Sequence, residues 1–380
     1  MPIFGRFIKY IMQDISALLS QSKLTPWGLP IDTFLSKLAV TTIDGVYQIK
    51  LTLGFPLNDN AINLLISTLT EYLQSINFQH NFNISVDIAI KTHKVQSGQK
   101  PGKSIKNIIA VASGKGGVGK SITTANLART LALQGAKVGI LDADIYGPSQ
   151  PLIMDSFDHP ITNDKKKIQP LICDGIKMMS IGNLIDINSA IIWRGPMVSG
   201  ALMQLLNDTD WGELDYLFID LPPGTGDIQL TMTKKIPITG AVIVTTPHDL
   251  SIMDARRAIA MFKKVNIHTI GIVENMSLYR CQSCGHKSSI FGQSSAELSE
   301  QFDIEQLGKL PLDPRISSAQ NNTITNLLNE DNQVSQAYQN IALKITANIA
   351  ALPKAIMISM PGVKVEYSER VKKPGVKHVD

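Results

Sequence analysis

The chain has 380 residues, 44% of them hydrophobic and 18% charged, and carries a formal net charge of +4. This composition is typical of a globular protein with room for a full α/β domain and a smaller one. The mild charge excludes a strong basic footprint for nucleic acid, and no apolar run reaches the roughly 18–20 residues that span a bilayer. Three cysteines are too few for a disulfide scaffold. We therefore expect a cytoplasmic protein with no nucleic-acid partner and no stable membrane association.

Residues 1–95 are predicted to form a small α+β domain. The first 20 residues are predicted to form an amphipathic helix and not a signal peptide. Charged side chains interrupt their apolar run, and no small-residue cleavage site follows it. Further along, apolar spacing indicates a strand, a helix and a second strand, at Val46–Phe55, Asp59–Leu73 and Asn83–Lys91. The next stretch is polar and contains glycine and proline, so residues 96–106 are predicted to be a linker.

From residue 107 to residue 355, short apolar runs rich in β-branched residues alternate with helical segments. The predicted strands are Ile108–Ala112, Val138–Asp142, Tyr216–Asp220, Gly240–Thr245 and Thr269–Val273. A helix is predicted at Ser121–Gln134, closed by Gly135. Near-continuous apolar strands alternating with helices predict an α/β domain with a doubly wound, mostly parallel sheet. Residues 356–380 are polar and contain proline and glycine, which predicts a flexible tail.

A glycine-rich segment lies between the first of these strands and the helix. It fits the pattern G-x-x-x-x-G-K-[ST] of a phosphate-binding loop, in the strand–loop–helix context that the pattern requires. Glycines let backbone N–H groups curl around phosphate oxygens, and the helix N-terminus adds its dipole. Lys120 is expected to reach the β- and γ-phosphates, and the Ser121 hydroxyl is expected to bind Mg²⁺. The predicted nucleotide-binding residues of this loop are Gly114, Lys115, Gly116, Gly117, Val118, Gly119, Lys120 and Ser121.

Polar residues end three of the predicted strands. Asp220 is the best candidate for the Mg²⁺ shell, and Asp142 is a second one; Asp144 is the candidate for orienting the attacking water. The alternative for each aspartate is a helix cap or turn. Pro222–Asp227 (PPGTGD) is suited to a switch loop that senses the γ-phosphate. Asn275 is a candidate partner for the adenine ring, and the alternative is that it closes a turn.

Two further features bear on the oligomeric state. Lys115 is either a solvated charge or, as in one subclass of P-loop proteins, a lysine that reaches across a dimer to the partner's nucleotide like an arginine finger. Cys281 and Cys284 offer two thiolates, whereas zinc and iron–sulfur sites use four ligands. His286 is a weak third ligand, and Cys173 is interpreted as a core residue. A redox pair lacks its usual context here, whereas a twofold dimer would complete a Cys₄ set.

Together these segments resemble the Mrp/ApbC family of iron–sulfur cluster carrier ATPases, within the larger class that holds MinD and the nitrogenase iron protein. The resemblance is carried, in order, by SGKGGVGKS, GILDADIYGPSQP, IIWRGPM, LDYLFIDLPPGTGDIQLT, AVIVTTPHDL, GIVENMS and a CxxCGH segment followed by IFG. It implies ATP binding with slow hydrolysis, a homodimer, and a labile [4Fe–4S] cluster bridged by Cys281 and Cys284 of both subunits. The implied partners are apo iron–sulfur proteins and a cluster-assembly scaffold. Residues 1–95 look like the MIP18-like domain of bacterial members, although Phe55 stands where many relatives have a cysteine.

Two other functions are weighed against this one. A MinD- or ParA-like positioning ATPase would need a basic DNA-binding patch or a C-terminal amphipathic membrane helix, and the tail shows neither clearly. A regulatory ATPase would hold zinc structurally at the cysteine pair. In the leading hypothesis, Asp144 and Pro222–Asp227 connect the nucleotide to the cluster.

Overall fold

The computed structural model describes residues 35–75, 80–96, 98–102, 104–164, 167–184, 195–281, 283–292, 295–317, 323–330 and 332–355. The helix predicted within residues 1–20 and the tail predicted at 356–380 lie outside these ranges. Within them, no helix is both long enough and apolar enough to cross a bilayer.

The N-terminal part is a three-stranded sheet packed on one helix. Its elements are β1 (Leu35–Ile43), β2 (Val46–Leu53), α1 (Asp59–Ser75) and β3 (Phe82–Ile88). β1 and β2 pair antiparallel, whereas β3 runs parallel to β2 after the crossover through α1. The helix buries Leu65, Leu69 and Leu73, which share one face because they are four residues apart. The two strands and the helix predicted in this region are confirmed; β1 was not predicted.

The larger part is built on an eight-stranded sheet with the strand order β13-β10-β9-β4-β8-β5-β7-β6. All neighbouring pairs are parallel except β6 and β7. The strands after β3 are β4 (Ile105–Ala112), β5 (Val138–Asp142), β6 (Leu171–Cys173), β7 (Ile176–Ser180), β8 (Leu214–Asp220), β9 (Gly240–Thr245), β10 (Thr269–Glu274), β11 (Tyr279–Arg280), β12 (Lys287–Ser288) and β13 (Gln306–Lys309).

Helices cover both faces of this sheet, as a doubly wound fold requires. They are α2 (Lys120–Leu133), α3 (Gln150–Ile153), α4 (Gly195–Asp208), α5 (Asp227–Lys235), α6 (Asp249–Lys264), α7 (Ala296–Phe302), α8 (Thr323–Asn329) and α9 (Gln333–Ala351), with 3₁₀ turns at Ile181–Asn183 and Pro314–Ser317. The predicted α/β class, the five predicted strands and the helix after the glycine-rich loop are therefore confirmed.

The strands are apolar on both sides because each face meets a helix layer. Along β4, Ile109 and Val111 point into a core shared with α2 and α9. Ile108 and Ala110 point to the opposite core, which α4, α5 and α6 cover. Each fully buried aliphatic side chain of this kind stabilises the fold by about 1.5–3 kcal/mol relative to exposure. The parallel strands thus end at one common edge, where ligands bind in such folds.

The two parts of the chain are packed against each other. Leu343 and Ala347 of α9 belong to the core of the N-terminal sheet. Within the predicted linker, Gln96 is buried and its Nε2 donates to the Thr233 carbonyl at 2.9 Å, and β4 already begins at Ile105. The division into domains at residues 1–95 and 107–355 stays a prediction, whereas the segment between them is packed on the larger part over at least part of its length.

Candidate functional site: a nucleotide cavity and a cysteine hairpin

The glycine-rich segment leaves the sheet at the end of β4 and enters α2 at Lys120. Gly117 and Gly119 have φ angles of 79° and 80°, a left-handed conformation that side chains with a Cβ rarely adopt. At Gly119 a Cβ would also lie 2.2 Å from the amide nitrogen of Asn275, and at Gly114 one would lie 2.1 Å from the Asp254 backbone. The loop therefore needs glycine at these positions both for its turn and for its close packing.

A cavity of about 390 Å³ opens over this loop. Its lining combines residues 115–121 with Asp144, Pro223 and the apolar side chains of Leu152 and Ile316. The volume lies in the range of small-molecule sites, and a polar floor with apolar walls suits a nucleotide whose phosphates face the loop. Seven of the eight predicted loop residues, 115–121, thus line one site, Gly114 directly precedes them, and their individual roles stay predictions.

Lys120 and Asp220 form a buried ion pair beneath the loop. The Lys120 ammonium also lies 3.2 Å from the Ser121 hydroxyl. Asp220 is fully buried and accepts further hydrogen bonds from the Thr124 hydroxyl and the Gln150 side-chain amide, at 3.3 and 2.9 Å. Hydroxyl and carboxylate oxygens are the ligands that Mg²⁺ prefers, so the donor set of Ser121 and Asp220 fits that ion.

Asp142 lies beside Asp220 because the register of β5 and β8 pairs the two residues. Full burial, and then the proximity of Asp220, raise the pKa of Asp142 to about 7. Hydrogen bonds oppose this rise: the carboxylate accepts from the backbone N–H groups of Asp144, Ser149 and Gln150 and from the Ser180 hydroxyl, at 3.0–3.1 Å. Asp142 therefore holds the loop that follows β5 in place.

Asp144 is half-buried and lines the cavity. Burial raises its pKa, while the positive charge of Lys120 opposes the rise. The predicted switch segment approaches the same site, since the Gly224 N–H donates to the Ser113 carbonyl at 3.0 Å and Pro223 lines the cavity. The roles predicted for Asp144 and for Pro222–Asp227 stay predictions.

Two residues of the site were missed in the sequence. The Nε2 of Gln150 donates to both Asp220 and the Ser121 carbonyl, at 2.9 and 3.0 Å. Thr124 lies one helical turn after Lys120 and so reaches the same carboxylate. A spacing of four residues from Lys120 signals Thr124. For Gln150 the available signal is a polar side chain beside proline at the start of an otherwise apolar turn.

Asn275 follows β10 and is turned toward the phosphate loop. Its Nδ2 donates to the Val118 carbonyl at 2.9 Å, and the side chain is buried. The amide thus braces the loop, which the sequence did not suggest. Its predicted contact with adenine stays a prediction.

The two cysteines of the pair lie between the strands of a short hairpin formed by β11 and β12. The Cys281 N–H donates to the His286 carbonyl and the Gly285 N–H donates to the Cys281 carbonyl, each at 2.9 Å, which closes the turn. Hydrogen bonds from the backbone of Cys284, and then from that of Ser283, lower the pKa of the Cys281 thiol. Cys284 is exposed and Cys281 half-exposed, so the hairpin presents both thiols to solvent.

Zinc and iron–sulfur sites use four ligands, and this pair offers two. Across the described part of the chain, no group of three or more histidine, cysteine or acidic side chains is arranged to hold a metal ion. The structure therefore does not bring His286 to the pair as a third ligand. Cys173 is buried in the core beneath α2, as expected, and burial raises its pKa. A four-thiolate site needs ligands from a second molecule.

Comparisons with known proteins identify the family of the chain. A family model described as the ParA group's NUBPL iron-transfer P-loop NTPase matches residues 104–346. The iron–sulfur cluster carrier protein of Haemophilus influenzae is 46% identical, over 80% of this chain and 82% of that protein. The iron–sulfur cluster transfer protein NUBPL of Mus musculus is 42% identical, over 67% and 82% respectively. A nucleotide-binding protein from Archaeoglobus fulgidus, solved in complex with ADP, is 38% identical with a TM-score of 0.52, over 61% of this chain and 90% of that one. The phosphate loop at the edge of a mostly parallel sheet, the cavity above it and these matches lead to one conclusion: the chain belongs to the family of NUBPL iron-transfer P-loop NTPases.

Proposed function

We propose that this chain binds an iron–sulfur cluster at Cys281 and Cys284 and transfers it to apo iron–sulfur proteins, with ATP binding and hydrolysis coupled to loading or release. The observation that carries the proposal is the exposed two-thiolate hairpin on a chain that also holds a nucleotide cavity. The similarity to an iron–sulfur cluster carrier protein and to a cluster transfer protein supports it.

The proposed active form is a homodimer. Two hairpins related by a twofold axis would supply four thiolates, the usual ligand set of a [4Fe–4S] cluster. A cluster held at an exposed hairpin between two subunits is accessible to other proteins, which suits exchange better than storage. The donor would be a cluster-assembly scaffold. Three free thiols suit the reducing cytoplasm, where we place the protein.

The phosphate loop would carry out slow ATP hydrolysis. Lys120 would hold the β- and γ-phosphates, while Ser121 and Asp220 would hold Mg²⁺, which when bound neutralises charge on the phosphates. Asp144 would orient the attacking water, a role helped by its raised pKa. Lys115, which is half-buried and lines the cavity, would reach the nucleotide of the partner subunit.

The test is anaerobic reconstitution of the full chain with iron and sulfide. We expect the wild type to gain visible cluster absorbance with iron and sulfide bound in equal amounts, and to sediment as a dimer. The Cys281→Ala/Cys284→Ala variant should show neither the cluster absorbance nor the dimer. Cys173→Ala changes the buried cysteine instead and should behave like the wild type. The proposal fails if the double variant gains as much cluster absorbance as the wild type. Zinc rather than iron in protein purified without oxygen would point to a structural zinc pair instead.

A further inference from the structure

A short segment links the phosphate loop to the cysteines. Asn275, whose side chain donates to the Val118 carbonyl at 2.9 Å, lies six residues before Cys281. Its amide nitrogen is so close to Gly119 that a Cβ there would lie 2.2 Å away. Any movement of the loop at Val118 or Gly119 must therefore move Asn275 or break this contact.

The residues between Asn275 and Cys281, which we name the connecting segment (276–280), are held at each step. Met276 adopts a left-handed φ of 54°, a conformation that residues with a Cβ rarely adopt. The N–H and hydroxyl of Ser277 both donate to the Leu310 carbonyl at 2.9 Å. The Leu278 carbonyl accepts from the Leu312 N–H at 2.9 Å, and Tyr279 forms a β-bridge to Leu312. A segment fixed at so many points transmits a displacement instead of absorbing it.

The chain that follows the hairpin also lies near the phosphate loop. Phe291, which follows β12, lines a cavity of about 140 Å³ together with Met276, Lys115 and Val118. The chain thus contacts the phosphate loop through Asn275 before the two cysteines and faces it across a small cavity after them. The loop therefore neighbours the hairpin on both sides of the cysteines, so a change in the loop can reach the hairpin from either side.

We propose that Asn275 is a positioning residue that couples nucleotide occupancy of the phosphate loop to the arrangement of Cys281 and Cys284. Phosphate binding rearranges the loop backbone around Val118 and Gly119, and the connecting segment carries that change to the hairpin. The inference rests on the proposed function in taking the two cysteines as the cluster ligands. Coupling is reciprocal, so a ligand held by the cysteines changes nucleotide affinity by the same factor.

The test measures thiol reactivity without iron. The rates of iodoacetamide modification at Cys281 and Cys284 are followed by peptide mass spectrometry in metal-free full chain, under anaerobic conditions, with and without Mg²⁺ and ADP. The saturating ADP concentration is determined for each variant by an ADP titration. A change in ADP affinity therefore does not affect the comparison of the modification rates. We expect saturating ADP to change the wild-type rates by about fivefold or more. In Asn275→Ala the change should fall below about twofold.

The matched control is Asn348→Ala. The Asn348 side-chain amide likewise donates to a backbone carbonyl, that of Ile270 in β10 at 3.2 Å, but Asn348 lines neither cavity at the phosphate loop. This control should keep the full ADP effect. A merely structural role of Asn275 would shift the rates with and without ADP by one common factor and leave their ratio unchanged.

The proposal is overturned if ADP leaves the wild-type rates unchanged, or if Asn275→Ala keeps the wild-type ratio. Should Asn275→Ala fail to fold, Phe291→Ala, which removes the side chain that faces the loop across the small cavity, decides in the same way: a reduced ratio supports the coupling and an unchanged ratio refutes it. Because no iron is used, this result is independent of cluster reconstitution. If only the coupling is wrong, the chain still gains a cluster but ADP leaves the thiol rates unchanged. If only the cluster proposal is wrong, ADP still changes the thiol rates although no cluster forms.

Discussion

At the scale of single residues, two carboxylates and one ammonium group are buried close together beneath the phosphate loop. Asp142 and Asp220 are fully buried on adjacent strands, and Lys120 is the cation paired with Asp220. Two neighbouring carboxylates away from water repel each other, so their burial depends on that ammonium and on the hydrogen bonds around them. The group that is expected to hold the phosphates is thus also a structural ion, and its replacement has two effects.

Lys120→Ala should abolish ATP hydrolysis and also destabilise the fold. It leaves Asp220 as a buried charge without its cation, which typically costs about 3–5 kcal/mol. Urea denaturation of the nucleotide-free chain measures the loss. Lys120→Ala/Asp220→Asn should recover part of the stability without activity, because an amide removes the unpaired charge. Equal stability of Lys120→Ala and the wild type would show that the pair does not stabilise the fold.

At the scale of elements, the sheet edge is closed by a hairpin that is fastened to the helix after the phosphate loop. Asp174 and Gly175 form the turn between β6 and β7, with φ angles of 51° and 75°. The Asp174 carboxylate accepts from Arg129 of α2 at 2.8 Å, and the same guanidinium donates to the Ile153 carbonyl at 3.0 Å. Arg129 is nearly fully buried, so this ion pair ties three elements together beside the nucleotide cavity.

Asp174→Asn should lower the free energy of unfolding by about 1–3 kcal/mol, because the buried guanidinium loses its charged partner while asparagine still tolerates the left-handed turn. A matched control exists in the same chain. Asp44 and Gly45 form an equivalent turn between β1 and β2, with φ angles of 49° and 77°, and the described contacts show no ion pair there. Asp44→Asn should therefore be nearly neutral. Similar losses in both variants would assign the effect to the turn itself.

The same elements show which strands and contacts can be predicted from the sequence and which cannot. β5, β8 and β9 are buried along their whole length, so a continuous apolar run marked each of them. β6 has three residues and sits at the edge, too short for a pattern, although its Asp-Gly turn was a usable signal. The contacts of Gln150 with Asp220 and of Asn275 with Val118 join residues far apart in the chain. Local spacing predicts that polar groups gather at the strand ends, but tertiary packing decides which ones meet.

At the scale of the whole molecule, a buried histidine lies at the junction of the two parts. The Nδ1 of His93 is 2.9 Å from the Asn107 side-chain oxygen, and the backbone of His93 bridges to Lys354. Burial lowers the pKa of His93 below its ordinary value of 6.5, and the charge of Lys354 acts in the same direction. The hydrogen bond to Asn107 opposes the shift without cancelling it.

This pKa shift predicts how stability depends on pH. The unfolded chain binds a proton at His93 more tightly than the folded chain does. The stabilising contribution is therefore fully present above pH 6.5 and is lost as the pH falls toward the lowered folded value. The slope for one proton is at most about 1.4 kcal/mol per pH unit. Urea denaturation between neutral and mildly acidic pH should show a shallower loss for His93→Gln than for the wild type.

The same replacement at His159, an exposed histidine, serves as the comparison. His159→Gln should follow the wild-type pH dependence over this range. If His93→Gln lost stability as steeply as the wild type, the pH dependence would have to come from other groups.

The sharing of α9 between two cores has a consequence for shortened chains. Its residues Ile341 and Ile345 face the large sheet, whereas Leu343 and Ala347 face the small one. A chain cut to begin at the phosphate-loop strand would keep the nucleotide cavity and the cysteine hairpin but would expose that second side of α9 to water. Such a fragment would expose an apolar surface that favours self-association. An oligomer of this fragment should therefore not be taken for the functional dimer.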